Sequence, residues 1–403
     1  MRWIVALVLA GALAFTAYAI LSPPAPAPTA EPMRPFTETL QTRLKRVPGD
    51  YRAWAQLATQ YVDQARVSGD PAFYPKAEGA LATAAKLAPR DDAVLTGRAA
   101  LAAGRHEFSL AVRLARQAIE VNPYSAQAHG VLADALTQLG DLDGAAEAVD
   151  RMLGLRPGVP SLTRASYAAE LRGDVAGARR LLLDALADAY LPADVAYARH
   201  YLGELALRSG DLAGASRWYA EAMRAVPSYT PSLAGQARVA ALSGRTAEAL
   251  DLYATVTRRL PLPQYLVEQG ETRLRAGLPA DWTLLRAQRR LYQDAGVLDD
   301  LTWAEFEADH GSPGRAVTYA RAEFLRNPNA VAADALAWAL HRAGDSRAAL
   351  PYARKATASG WRNALLYHHR AEIERALGLR PSLTPGGVNP VFDPGLPALA
   401  RFS

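Results

Sequence analysis

Gly210-Asp-Leu-Ala-Gly-Ala-Ser-Arg-Trp-Tyr-Ala-Glu-Ala-Met-Arg-Ala-Val-Pro227 decides how this chain is read. A glycine comes first, then an acidic residue, then alanines and bulky side chains at helical spacing, and finally a proline. Glycine ends a preceding helix in the left-handed C′ conformation. Proline stops the following one, because it lacks an amide donor and restricts the residue before it. The same order recurs from Gly140-Asp-Leu-Asp-Gly-Ala-Ala-Glu-Ala to Pro157, and from Gly244-Arg-Thr-Ala-Glu-Ala-Leu-Asp-Leu to Pro261.

The recurrence has a fixed step. Pro89, Pro123 and Pro157 are 34 residues apart, Pro157, Pro192 and Pro227 are 35 apart, and Pro261 follows after another 34. Ala111 and Ala145, Ala215 and Ala249, and Tyr219 and Tyr253 keep the same interval. A fixed period of this length is the mark of a repeat architecture, in which each unit buries its apolar face only against its neighbours.

The pattern resembles the tetratricopeptide repeat, a 34-residue helix–turn–helix unit. Trp54, Leu57, Ala58 and Tyr61 open a first unit with that spacing. Leu202, Gly203, Ala215, Tyr219, Ala222 and Pro227 fill another, Leu132, Ala133, Ala145 and Pro157 a third, and Ala111, Ala118 and Pro123 fit the second unit. Small residues let the two helices of a hairpin cross closely, and the bulky ones fill the space between them. The resemblance implies an all-α, right-handed solenoid of about ten hairpins. They start near Tyr51, Asp92, Ala126, Pro160, Ala196, Thr230, Pro263, Val297 and Val331, with a partial tenth from Asn363.

Three units depart from the pattern. The first carries about seven extra residues around Ser68 to Pro75 and should have a longer hairpin. In the seventh, Trp282 stands where alanine is usual, and no proline closes it. The tenth has a first helix, roughly Asn363 to Leu377, and then Pro381, Pro385, Gly386, Gly387, Pro390, Pro394 and Pro397, which read as an irregular tail. The expected organisation is an apolar segment over 1–21, a Pro-rich linker over 22–47, the solenoid over 48–378 and the tail over 379–403.

Trp3 to Leu21 carry no charge. As a helix, the run would span roughly 28 Å, close to the ~30 Å hydrocarbon core of a bilayer. Two readings stay open: a cleaved signal peptide ending at the small-x-small pattern Ala17-Tyr18-Ala19, or a retained membrane anchor. Both place the remainder outside the cytoplasm, since Arg2 stays inside. Six prolines between Ser22 and Pro35 then make a semi-rigid spacer.

The 403 residues include 45 Lys and Arg against 40 Asp and Glu, a net charge of +5. No dense basic cluster appears, so no nucleic-acid partner is expected. Only Lys45, Lys76, Lys86 and Lys355 are lysines, and with the abundant alanine this bias is associated with GC-rich bacterial genomes. There is no cysteine, which removes disulfides, thiolate metal sites, a Cys nucleophile and lipidation at Cys.

No catalytic constellation is found. The seven histidines form no His-Glu-x-x-His motif, and adjacent His368 and His369 point about 100° apart on a helix. His310 reads as a helix-terminal residue, and Trp303, Trp338 and Tyr319 as core. No phosphate-binding glycine loop or nucleophile elbow is present, and no cofactor or metal is expected.

The resemblance implies a concave groove lined by the first helices. Carried onto this chain, it presents Arg164, Leu171 and Arg172 in unit four and Tyr197, His200, Glu204 and Arg208 in unit five. Unit six presents Arg238, and unit seven Glu271 and Arg275. Guanidinium groups there would suit an acidic segment or terminal carboxylate of a partner protein. Alternatively they are helix charges that pair with one another across units. The expected function is a non-enzymatic interaction scaffold of the cell envelope. An accessory of a pilus-type assembly machine ranks second because that class relies on a lipidated cysteine. An enzyme or metal-handling protein ranks third.

Overall fold

A computed structural model describes residues 36–400; Trp3 to Leu21 and the prolines up to Pro35 lie outside them. Among the described residues there are helices, turns and one 3-10 turn, and no strands. Nine hairpins follow in order. They are α2 (Tyr51–Ser68) with α3 (Phe73–Leu87), α4 (Asp92–Gly104) with α5 (Phe108–Val121), and α6 (Ala126–Leu139) with α7 (Leu142–Leu155). Then come α8 (Val159–Glu170) with α9 (Val175–Asp188), α10 (Pro192–Arg208) with α11 (Leu212–Ala225), and α12 (Thr230–Leu242) with α13 (Thr246–Arg259). The last three are α14 (Pro263–Arg275) with α15 (Thr283–Asp294), α16 (Asp300–His310) with α17 (Pro313–Arg326), and α18 (Ala330–Arg342) with α19 (Ser346–Ala356). α20 (Ala364–Ala376) is the unpaired first helix of unit ten, and α21 (Pro397–Ala400) is a single turn in the tail.

The stretch read as linker up to residue 47 turns helical once the prolines stop, as α1 (Phe36–Arg46). Its Leu40 and Leu44, one helical turn apart, are buried with Ala53 and Leu57 of unit one. The helix thus covers the open end of the stack, as a terminal cap must.

The turn chemistry follows the punctuation. Gly140, Gly173, Gly210 and Gly344 take positive φ. The next residue, Asp141, Asp174, Asp211 or Asp345, then caps the second helix by accepting an amide three residues on, at 2.7–2.9 Å. Such a cap contributes about 1 kcal/mol. In unit seven the departure has a packing reason. The Trp282 ring fills the space that a Cβ on Gly270 would take, and packs edge-on against Phe306. One indole replaces the usual small-on-small crossing. Unit one is indeed longer, with an 18-residue α2.

First helices of successive units touch one another, whereas successive second helices make no comparable contact. The stack therefore curves with its first helices on the inside. The curvature is tight enough that one superhelical turn rests on the next. Asn329 Nδ2 donates to Gln138 O at 2.7 Å across 191 residues, between five and six units. One unit earlier Leu298 N donates to Arg105 O at 3.1 Å. One unit later Gly173 lies against the Gly360 carbonyl. Further on, Asn389 Nδ2 donates to Leu207 O at 3.3 Å, so the tail supplies the contact an eleventh unit would make. A seam of turn-to-loop contacts closes the superhelix.

Gly173 (φ +81°) and Gly244 (φ +74°) separate backbone cost from seam cost. An alanine at either position incurs about 1–2 kcal/mol for the left-handed conformation. A Cβ at Gly173 would also meet Gly360 O at 2.5 Å, while at Gly244 nothing lies within 4 Å. Gly173→Ala should therefore lower the urea midpoint more than Gly244→Ala and expand the molecule in small-angle scattering. Equal effects would contradict a stabilising seam.

Candidate functional site

The candidate groove residues all lie on the inner helices or at their ends, but most do not present free charge. Arg238, 2% exposed on α12, makes a forked pair with Glu268 of α14 through Nε (3.1 Å) and Nη2 (3.0 Å). Its Nη1 reaches Glu204 Oε1 of α10 at 3.1 Å. Tyr219 and Tyr253, fully buried on α11 and α13, donate to Glu204 (2.7 Å) and Glu268 (2.9 Å). Arg208 forks onto Glu170 of α8 at 2.6 and 2.9 Å. Glu170, Glu204 and Arg238 occupy one repeat position, 34 residues apart, and Arg208 supplies the cation between the two glutamates. Where this ladder begins, in unit four, Arg164 forks onto Asp134 (2.8 and 2.7 Å) and Arg172 reaches Asp143 at 2.9 Å, both in unit three.

The reason is geometric. These long side chains fill the space between adjacent inner helices in units four to seven and are themselves buried there, and a buried charge must pair or be neutralised. Burial works against ionisation of Glu204, yet Arg238, His200 and Arg208 hold its carboxyl below the ordinary range. Glu268 goes the other way: burial pushes it up by more than Arg238 and Tyr253 pull it down. His200 is pushed by burial to about 4, which Glu204 only partly opposes, so it is neutral at pH 7. Its Nδ1 lies 3.3 Å from Ser232 Oγ. Tyr197 stacks obliquely on Tyr201 at 4.7 Å, and Tyr201 on α10 is 38% exposed.

Glu271 and Arg275 belong to a different region, over units seven to ten, which the chain's own tail crosses. Asp393 bridges Arg275 at 2.9 Å, and the Ala398 amide donates to Glu271 Oε2 at 2.8 Å. Beside α21 a cleft with a cavity of about 50 Å³ is walled by Glu271, Phe306, Asp309, Asp334 and Trp338. Burial pushes Glu271 up to about 7, although His310 (2.9 Å) and the Ala398 amide pull it down. His369, stacked on Trp338 at 4.0 Å, pairs with Asp334 at 2.8 Å. Burial works against its charged form, but that partner raises its pKa above the ordinary histidine value. His310 thus faces the cleft rather than simply closing α16, and Trp338 is a half-buried wall that donates to Asp309 at 2.8 Å. Trp303 is core as expected. No group of three or more metal-ligating side chains occurs among the described residues, nor does any helix long and apolar enough to cross a membrane.

Sequence reasoning missed Glu170 and Glu268 as partners, and the tail as an occupant of the inner face. The 34-residue step through Glu170, Glu204 and Arg238 was the signal for the first. The tail's proline content concealed the second.

Two outcomes follow for the ladder. Arg238→Met leaves two buried carboxylates short of a partner and should cost about 3–5 kcal/mol. Arg224→Met, at a side chain 71% exposed, should change stability by less than about 0.5 kcal/mol. Urea unfolding followed by circular dichroism compares them. Neutral His200 contributes stability that is present above its unfolded value near 6.5 and is lost as pH falls towards 4. His200→Gln should remove that part of the acid slope between about pH 6.5 and about pH 4, and an unchanged slope would contradict the assignment.

Residues 94–160 match the tetratricopeptide repeat family. No curated protein sequence matches the chain. Among solved structures, a thermophilic TPR protein of Thermus thermophilus is 22% identical, with a TM-score of 0.40, over 46% of this chain and 97% of that one. PilW, a type IV pilus biogenesis factor, is 18% identical at 0.40, over 51% and 94%. The Cut9–Hcn1 structure of the APC/C is 12% identical at 0.43, over 91% and 92%. The matched segment spans unit two, unit three and the start of unit four: the chain carries tetratricopeptide repeats there, and the other described hairpins continue the same all-α stack.

Proposed function

We propose that this chain is a non-enzymatic scaffold of the cell envelope that binds a segment of a partner protein on its inner face. The observation that carries this reading is the use of that face by the chain itself. A non-repetitive segment, Asp393 to Ala400, already lies against the first helices through a rim ion pair, a backbone amide on a carboxylate and buried leucines. A surface that holds one short segment this way has the chemistry to hold another. The envelope assignment rests on the uncharged run Trp3 to Leu21 and the prolines after it.

The ladder redirects the expected site. Arg208 and Arg238 are engaged by Glu170, Glu204 and Glu268. Arg275, with a side chain 55% exposed, and the Tyr197–Tyr201 pair are the inner positions open to a partner.

Photo-crosslinking residues placed in the full chain at Tyr197, Tyr201 and Arg275, and on second helices at Arg224 and Arg258, test the reading in cells. Defined protein adducts from the first three and few from the last two are expected. Equal labelling from both sets would contradict an inner binding face.

A further inference from the structure

Resting on the scaffold reading, we infer that the inner face of units seven to ten is the segment-binding site. Its ligand is a partner segment with an acidic residue followed by leucines three and six positions later, which binds by displacing the chain's own tail. Asp393, Leu396 and Leu399 are the template for that pattern.

The groove sets each requirement. At the rim, Arg275 offers a guanidinium that takes one carboxylate oxygen of Asp393 at 2.9 Å. Its Nη1 also lies about 2.8 Å from where a Cβ on Gly395 would sit, so the ligand backbone passes close to the guanidinium and favours a small residue there. Deeper, Leu396 and Leu399 are 1% and 0% exposed, and Ala398 packs on the cluster of Leu266, Val267, Trp303 and Phe306. At the end, Glu271 accepts the amide of Ala398, so the ligand must present a free N–H at that step.

The tail is built to come off. α21 is one turn of four residues, far too short to hold its own conformation. Between Phe392 and Ala400 only two of the polar contacts reach the solenoid, the Arg275 bridge and the Glu271 bond. The bridge is half-exposed and of the kind that contributes little. Under the turn, a cavity of about 50 Å³ bordered by Phe306, Trp338, Pro397 and Ala398 stays unfilled, so the tail does not pack the groove completely. By contrast, the anchor upstream is firm. Asn389 is fully buried, with its amide on Leu207 O, and Pro390 lies against Gly210, so a released 391–403 would remain tethered beside the groove. A tethered competitor sets a threshold on partner affinity through its effective concentration.

The test uses the full chain and a fluorescent synthetic peptide of sequence Asp-Pro-Gly-Leu-Pro-Ala-Leu-Ala, read by anisotropy. Wild type should bind it at least about tenfold more weakly than Leu396→Ala, in which the cis tail loses a buried anchor. Adding Arg275→Glu to Leu396→Ala should weaken the peptide again by about tenfold. A folded Leu396→Ala chain that does not bind, or binding indifferent to Arg275→Glu, overturns the inference. If Leu396→Ala fails to fold, Asp393→Lys loosens the tail at its exposed rim without a cavity, and the double variant Asp393→Lys/Arg275→Glu should re-form the bridge and shut the peptide out. Binding unchanged between single and double variants overturns it equally. Peptide failure together with inner-face cross-links at Tyr197 and Tyr201 would sink this site and leave the scaffold reading standing. Peptide binding with no cross-linked partner at any position would do the reverse.

Discussion

The close stacking of first helix on first helix is the constraint on which the rest depends. Small residues, with Ala58, Ala99, Ala133, Ala234 and Ala304 essentially inaccessible, bring the two helices of a hairpin together, and the hairpins then stack with first helices in touch and second helices apart. The resulting curvature brings each unit within reach of the one five to six units later. The turn glycines and the loops after the second helices then meet as a seam. A looser stack would have left an open channel through its middle. In units four to seven Glu170, Glu204, Arg238 and Glu268 are at most 6% exposed, so these inner charges must find partners inside the protein.

That requirement converts the inner charges from a recognition surface into a structural ladder in units four to seven. Alternate helices supply Glu170, Arg208, Glu204, Arg238 and Glu268, and the tyrosines of the outer helices donate the remaining hydrogen bonds. The arrangement fixes which helix faces which, because a slip of one turn would leave a buried carboxylate facing a buried carboxylate. Its cost is desolvation, and removing one member is far more damaging than its net contribution suggests. Farther along, the curve ends in an incomplete tenth unit. The tail there has to cover apolar surface on α14, α16 and α20, and it does so with a thin strap rather than a helix pair.

The fold was legible from proline and glycine spacing, because those residues act locally and the repeat multiplied their signal. Gly140, Gly210 and Gly344 end helices as their position in the period requires, and α20 ends one residue short of Leu377. The site was legible only as a set of positions. Arg208, Arg238, Glu204 and Glu271 are on the inner side, but whether an arginine there points at solvent or at Glu268 depends on curvature. Curvature depends on the sum of many small packing distances that no single residue type encodes. Likewise, Pro381 to Pro397 read as an irregular end, and nothing local in them specified a return path to Leu207 and Glu271. The helix α1 was lost for a simpler reason: it directly follows six prolines, and its Leu40 and Leu44 mean little until Ala53 and Leu57 stand opposite.

Hydrogen exchange of the full chain, resolved by segment, is the most direct test of an inner face held by a ladder and crossed by a removable strap. The slowest exchange is expected in the middle of α10, α12 and α14, where the ladder is buried. The amides of 393–400, Ala398 included, should exchange orders of magnitude faster. Protection of Ala398 equal to that of the ladder helices would make the tail a permanent part of the core and would contradict a displaceable occupant of the inner face.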